Sequence, residues 1–185
     1  DARPIGAAWA LDGLWRRLGI GAAIEGVLDG RRHRHDVERT IFGLVANRAI
    51  APDSKLRAAE WVSEDASIPG LEALEVQNAY RAMDVLASAD AEGAVQEAVF
   101  FGVADLLNLE VDLLFFDTTS SYFEIEDDEG EGLDEADIRR YGHSKDHRPD
   151  RPQVVVGLAV TREGIPVRCW TWPGNRSDQS VIEEV

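Results

Sequence analysis

The sequence predicts a protein in two parts, with helices over residues 1–109 and a mixed strand and helix region over residues 110–185. The first hundred residues place apolar side chains at the three- and four-residue spacing of amphipathic helices. After residue 110 the apolar runs shorten to the length of strands, and two of them flank the polar turn "TREG". The expected fold class is therefore α+β or α/β.

Apolar stripes mark the successive helices of the first part. Asp36 is the predicted N-cap of the helix in "HDVERTIFGLVANRAI". The start signal of the next helix, in "APDSKLRAAEWV", consists of Pro52, Asp53 and Ser54. The pair Pro69-Gly70 breaks the chain before the helix in "EVQNAYRAMDVLA". The side chains expected to face the core are those of Trp9, Leu11, Leu14, Trp15, Leu18, Ile24, Val27, Leu28, Val37, Ile41, Leu44, Val45, Val76, Ala79, Tyr80, Met83, Leu86, Val95, Val99, Val103, Leu106 and Leu107.

The second part begins with a short apolar strand, "VDLLFFD", which is predicted to be buried on both faces and to end at Asp117. The strands "QVVVGLAV" and "IPVRCWTW" form a hairpin, with Gly164 at the turn position that favours positive φ. Ser177 or Asp178 is expected to cap a final helix. In the hairpin, Trp170 and Trp172 alternate with their neighbours and should face one side, as core rather than as a stacking platform.

Composition and charge exclude several classes of protein. Apolar residues make up 44% and charged residues 29% of the 185, as in soluble globular proteins, and no apolar run reaches the length of a membrane span. The single cysteine, Cys169, allows no internal disulfide and favours the cytoplasm. The first residue is Asp1 and the last stretch resembles an interrupted helix, so we expect a fragment of a longer chain.

The charge distribution is more informative than the net charge of −16, which argues against a protein that simply coats nucleic acid. The segment 124–137 carries nine acidic residues and no basic one, and is interpreted as a solvated loop or insertion. The segment 139–151 then carries five basic residues against two acidic ones. The basic segment is the better candidate for contact with an anionic partner.

The sequence lacks the common metal and nucleophile motifs. With Gly132 as the sixth residue of a calcium loop, the twelfth position would be Ile138 instead of glutamate. His143 and His147 are four residues apart but lack the glutamate and the helical context of a zincin. Asp117 remains, either as a carboxylate that caps nearby amides or as one ligand of a divalent cation that needs further acids from elsewhere.

Two longer stretches carry a resemblance to a known family. "LLFFDTTSSYFE" followed by "YGHSKDHRPDRPQVVVGLAVTREGIPVRCWTWPGNRSD" resembles the first part of the catalytic domain of insertion-sequence transposases of the DDE type. "LVANRAIAPDSKLRAAEWV" and "NAYRAMDVLA" resemble the helical region that precedes this domain. The resemblance covers the chain from about residue 36 to its end.

The resemblance implies a ribonuclease H-like domain, of which residues 110–185 supply the first three strands and the first helix, with the acidic insertion at 124–137. Asp117 would be the first of three catalytic carboxylates and a ligand of Mg²⁺ or Mn²⁺, the other two lying beyond this chain. The activity implied is divalent-metal-dependent cleavage and strand transfer at DNA phosphodiesters. The expected partners are transposon ends and target DNA, and the full-length protein is expected to be a homodimer without a membrane association.

The hydroxyl residues after Asp117 and the basic segment each have two interpretations. One interpretation is that the hydroxyl groups of Thr118, Thr119 and Ser120 orient the carboxylate or a phosphate. The other, which is favoured, is that these residues form a turn. The residues expected to contact DNA are Tyr141, Lys145, Arg148, Arg151 and Arg176. The alternative is a loop whose cations pair with the acidic segment nearby.

A rival function is a non-catalytic DNA-binding or dimerising regulator derived from a truncated transposase, which would use the helices alone. Truncation also predicts that the strand carrying Asp117 has an open edge. We expect that edge to be covered by another chain or by the acidic segment, or the 185-residue chain to be poorly soluble.

Overall fold

The computed structural model describes residues 2–28, 36–124, 137–182 and 184–185, and only the backbone at residues 89 and 90. The chain divides into two compact units, Asp1–Leu109 and Glu110–Val185. The first is helical and the second contains a three-stranded antiparallel sheet, so the fold class is α+β. No described helix is long and apolar enough to cross a membrane.

The helical unit is built from short helices whose starts follow local capping chemistry. The carboxylate of Asp36 accepts the Arg39 N–H at 2.9 Å, which confirms the predicted cap. The hydroxyl of Ser54 accepts the Arg57 N–H at 3.3 Å, so Ser54 is the cap within the predicted start signal. Asn108, in the left-handed conformation, ends the last helix. The elements are α1 (Gly6–Arg17), α2 (Ile20–Leu28), α3 (Val37–Ile50), α4 (Lys55–Glu60), a π-helical turn (Trp61–Asp65), α5 (Val76–Leu86) and α6 (Ala89–Leu107).

The core of this unit centres on α3, which packs against α1, α2, α4 and α5. Phe42 of α3 is 1% exposed and meets the ring of Trp15 edge-on at 5.4 Å. Several predicted core positions are wrong, because the buried face of each helix is narrower than its apolar stripe. The predicted core residues that are instead exposed are Trp9, Leu14, Val45, Tyr80, Met83 and Leu107.

A buried ion network joins α1 to α3 and was not predicted. The guanidinium of Arg39 donates to the carboxylates of Asp12 and Glu38, each at 2.6 Å. The indole N–H of Trp15 donates to Glu38 at 2.6 Å, and Arg39 also donates to the Pro69 carbonyl at 3.2 Å. Burial alone would raise the pKa of Glu38, but the hydrogen bonds from Arg39 and Trp15 and the Arg39 charge lower it.

The sheet unit consists of three antiparallel strands in the order β1-β2-β3: β1 (Leu114–Tyr122), β2 (Gln153–Thr161) and β3 (Pro166–Pro173). The predicted hairpin is confirmed, and Gly164 in its turn has a φ of 81°. A short helix, α7 (Asp178–Val181), follows, and the hydroxyl of Ser177 caps it by accepting the Ser180 N–H. Of the two predicted candidates, Ser177 is therefore the residue that caps the helix.

Strand β1 differs from its prediction in length and in burial. It continues through Tyr122, so Asp117 lies inside the strand and the hydroxyl residues that follow form strand instead of the favoured turn. These residues adopt the strand conformation because they pair with the valine-rich β2, where Val156 lies opposite Thr119. The strand is also not buried on both faces, because Phe115 and Asp117 on one face are exposed.

The two tryptophans of β3 lie on one face, as predicted. Their rings stack with centroids 6.0 Å apart, and Phe116 of β1 meets Trp170 edge-on at 5.9 Å. Trp172 is 6% exposed and packs in a cluster with Val155 and Val181. This small core holds α7 against the sheet and so fixes the start of that helix relative to β1.

Candidate functional site at strand β1

Asp117 stands near the middle of β1, opposite Leu158 of β2. Its side chain is exposed, and its carboxylate accepts the backbone N–H of the next residue, Thr118, at 2.8 Å. In the same row across the sheet lies Cys169 of β3. The carboxylate is thus rigidly based on a strand and open to solvent, which suits a ligand of a larger site.

In the described part of the chain, Asp117 does not belong to a group of metal-binding side chains. Among the residues that the structure describes, no group of three or more histidine, cysteine, aspartate or glutamate side chains is placed to hold a metal ion. One carboxylate does not make a magnesium or manganese site. The described residues therefore do not fit a complete divalent-metal centre.

The opposite face of β1 carries a polar cluster that sequence reasoning did not assemble. Because neighbouring residues of a strand face opposite sides, Thr118 points away from Asp117. Its buried hydroxyl donates to the carboxylate of Asp178 at 2.6 Å. The ammonium of Lys145 donates to the Thr118 carbonyl at 2.5 Å and to the Thr118 hydroxyl at 2.6 Å.

Lys145 and Asp178 are themselves paired, with the ammonium 3.5 Å from the carboxylate. The backbone N–H of Lys145 donates to the hydroxyl of Ser120 at 2.9 Å, which ties the segment to β1 a second time. The hydrogen bond from Thr118, helped by the Lys145 charge and opposed by partial burial, lowers the pKa of Asp178. Lys145, Asp178, Thr118 and Ser120 are called the edge cluster below.

Two glycines allow the segments that carry Lys145 and Asp178 to approach each other. A Cβ on Gly142 would lie 2.1 Å from the Gly174 carbonyl oxygen, and a Cβ on Gly174 would lie 2.0 Å from the Gln153 carbonyl oxygen. Gln153 also exchanges two backbone hydrogen bonds with Arg140, at 2.9 and 3.0 Å. The close backbone contact holds the stretches just before Lys145 and Asp178 at one end of β2.

Of the residues predicted to contact DNA, Lys145 is in the edge cluster, and two arginines engage an aspartate of their own loop. Arg148 donates to Asp150 at 2.9 and 3.0 Å, and its guanidinium lies 5.1 Å from the centre of the Tyr122 ring. Arg151 lies 3.7 Å from the same carboxylate. The hydrogen bond to Asp150 raises the pKa of Arg148.

The remaining two predicted DNA contacts are differently placed. Tyr141 is 52% exposed. Arg176 donates to the carboxylate of Glu184 and to the Ser180 carbonyl, the latter at 3.3 Å. The same Glu184 accepts the indole N–H of Trp172 at 2.7 Å. Arg176 is thus part of the packing around α7, whereas Tyr141 presents its ring to solvent.

Only the ends of the acidic segment 124–137 can be described, since residues 125–136 lie outside the described part of the chain. Glu124 lies 4.0 Å from Arg148, and Asp137 pairs with Arg139 at 2.6 Å. The predicted alternative, a loop whose cations pair with acids nearby, is present at these two contacts. Ion pairs with nearby acidic residues thus offset part of the positive charge of the segment 139–151.

No protein-family model, curated protein or solved structure matches the chain, so the comparisons assign it to no family.

Proposed function

We propose that the chain is the first part of a DNA transposase of the DDE type, in which Asp117 is the first of three catalytic carboxylates. The sequence resemblance motivates this proposal. The observation that carries it furthest is the order of elements around Asp117: a strand with an exposed central carboxylate, an antiparallel hairpin, then a helix. This is the order that the resemblance implies for a ribonuclease H-like domain.

In this proposal the second and third carboxylates come from residues outside this chain, on the later strand and helix that the resemblance implies. In the assembled domain, Mg²⁺ or Mn²⁺ would supply the electrostatic activation of phosphodiester chemistry. This chain contributes the fixed position of one ligand, since β1 is paired to β2 along its whole length. The proposed partners are transposon ends and target DNA, the proposed assembly is a homodimer, and the compartment is the cytoplasm.

The second candidate is a non-catalytic DNA-binding or dimerising regulator. One observation favours it: Lys145, Arg148 and Arg176 are engaged by groups of the chain itself, which leaves a smaller basic surface on the sheet unit. In this case the helical unit would carry the function. The continuation of the coding sequence after Val185 distinguishes the two, since an enzyme needs a further strand with aspartate and a later helix with glutamate.

The enzymatic proposal is tested with the chain extended through the coding sequence that follows. In the presence of Mn²⁺ the extended protein is expected to nick and join DNA, and Asp117→Asn is expected to reduce the rate by at least about a hundredfold while DNA binding is retained. Asp112→Asn is the matched control, because Asp112 is an exposed aspartate that pairs with Arg162 just before β1. DNA binding without any strand cleavage by the unsubstituted protein would favour the regulator.

A further inference from the structure

Strand β1 lies at the edge of the described sheet, because the strand order is β1-β2-β3. The Phe123 N–H donates to the Pro152 carbonyl at 2.9 Å, so Phe123 directs its backbone groups toward the neighbouring strand. Residues of an antiparallel strand alternate between bonding their neighbour and facing away from it. The residues of β1 whose backbone groups face outward are therefore Leu114, Phe116, Thr118, Ser120 and Tyr122.

Thr118 is the central residue of this edge, and both of its outward backbone groups have partners. Its N–H donates to the Asp117 carboxylate and its carbonyl accepts from the Lys145 ammonium. The Lys145 ammonium also binds the Thr118 hydroxyl and Asp178, so it has three acceptors on and beside the strand. An incoming strand would have to displace Lys145 and Asp117 together.

We propose that Lys145, anchored by Asp178, caps the open edge of β1 and prevents it from pairing with β1 of a second copy of the chain. The cap is effective because it sits at the middle of a nine-residue strand. Only residues 114–117 or 119–122 remain on either side, and each stretch is shorter than the common strand length of about five to six residues. Lysine on an exposed edge is a recurrent way to keep sheets from associating.

The edge cap gives Lys145 a role other than DNA contact and goes beyond the proposed function. The cap rests on the geometry of β1 in this 185-residue chain; in the extended enzyme, the next strand of the ribonuclease H-like sheet would take its place at this edge. The sequence predicts an open, aggregation-prone edge on this strand, and the proposed cap would protect that edge. The covering group is a lysine from the segment before β2, together with the aspartate that the strand itself carries.

The test compares self-association of three folded proteins by sedimentation velocity over a range of concentrations. The sequence has two lysines, Lys55 and Lys145, so Lys55→Met is a control with the same change of charge and side chain. Lys145→Met is expected to self-associate at a protein concentration at least about tenfold lower than either the unsubstituted chain or Lys55→Met. Hydrogen exchange of the backbone over 114–122 should slow as the Lys145→Met protein associates.

A second variant keeps the test decisive if Lys145→Met does not fold. Asp178→Asn retains the lysine and the acceptor for the Thr118 hydroxyl but removes the charge that anchors Lys145. It should shift self-association in the same direction by a smaller factor, with Asp112→Asn as its control. The proposal is overturned if the folded Lys145→Met protein associates no more strongly than Lys55→Met. It is equally overturned if association leaves exchange over 114–122 unchanged, or, should Lys145→Met not fold, if Asp178→Asn matches its control.

Discussion

Replacing Arg39 with methionine is expected to lower the free energy of unfolding of the helical unit by about 3–5 kcal/mol, because it leaves buried Glu38 without its cation and buried Asp12 with only the exposed Arg16, 2.7 Å away. The side chains of Asp12 and Glu38 are 5% and 8% exposed, so water cannot replace the lost partner. Methionine preserves most of the apolar stem of Arg39, whereas the guanidinium, 4.6 Å from the centre of the Phe42 ring, is lost. Urea unfolding followed by far-ultraviolet circular dichroism measures the change.

The pH dependence distinguishes this mechanism from a packing defect. The lowered pKa of Glu38 means that its contribution to stability is present above the ordinary glutamate value, about 4.3, and is lost as the pH falls through the lowered value. In the variant the burial of Glu38 is no longer offset by Arg39, so this carboxyl group is protonated more readily as the pH falls. The stability gap between the two proteins should therefore narrow as the pH falls toward about 4.

Arg57→Met is the matched control in the same unit. Arg57 is 60% exposed and pairs on the surface with Glu60, so its loss should change stability by less than about 1 kcal/mol. Equal effects of the two substitutions would contradict the account of the buried network. So would a gap between Arg39→Met and the unsubstituted chain that widens in acid.

Gly174→Ala is expected to destabilise the sheet unit by about 3 kcal/mol, because the added methyl group meets backbone on two sides. Its Cβ would lie 2.0 Å from the Gln153 carbonyl oxygen and 2.5 Å from the Arg140 carbonyl oxygen. Neither atom belongs to a flexible side chain, so strands and loop must separate. The side-chain amide of Gln153, which donates to the Gly174 carbonyl at 3.1 Å, would lose its alignment as well.

Hydrogen exchange over 153–173 measures this effect directly in the affected strands. Gly93→Ala in α6 is the contrasting control, because no atom lies within 4 Å of its added Cβ. A helix-interior alanine should stabilise by about 0.5–1 kcal/mol relative to glycine. If Gly174→Ala leaves exchange in β2 and β3 unchanged, the close approach of these backbones does not exist in solution.

Local chemistry explains which parts of the fold the sequence predicted well. The caps Asp36 and Ser54 and the turn at Gly164 each depend on residues within four positions, so their patterns are visible in the chain. The alternation that places Trp170 and Trp172 on one face is equally local. These elements agree with the structure because no distant partner decides them.

Contacts between distant residues explain what could not be predicted. Hydroxyl residues suit both turns and strands, so the extent of β1 was decided by pairing with β2, more than thirty residues later. Lys145 and Asp178 lie 27 and 60 positions from Thr118, and nothing local marks them as its partners. Asp117 was identified as a candidate, but the cluster on the other face of its strand was not.

The measurement that tests the central claim most directly is calorimetric titration of Mg²⁺ or Mn²⁺ into this chain and into the chain extended through the following coding sequence, each with and without Asp117→Ala. The account predicts weak or no binding by the 185-residue chain, and binding by the extended chain that the substitution abolishes. Binding that persists without the Asp117 carboxylate would contradict it. Asp117 would then act only as the partner of the Thr118 N–H on the edge of the strand.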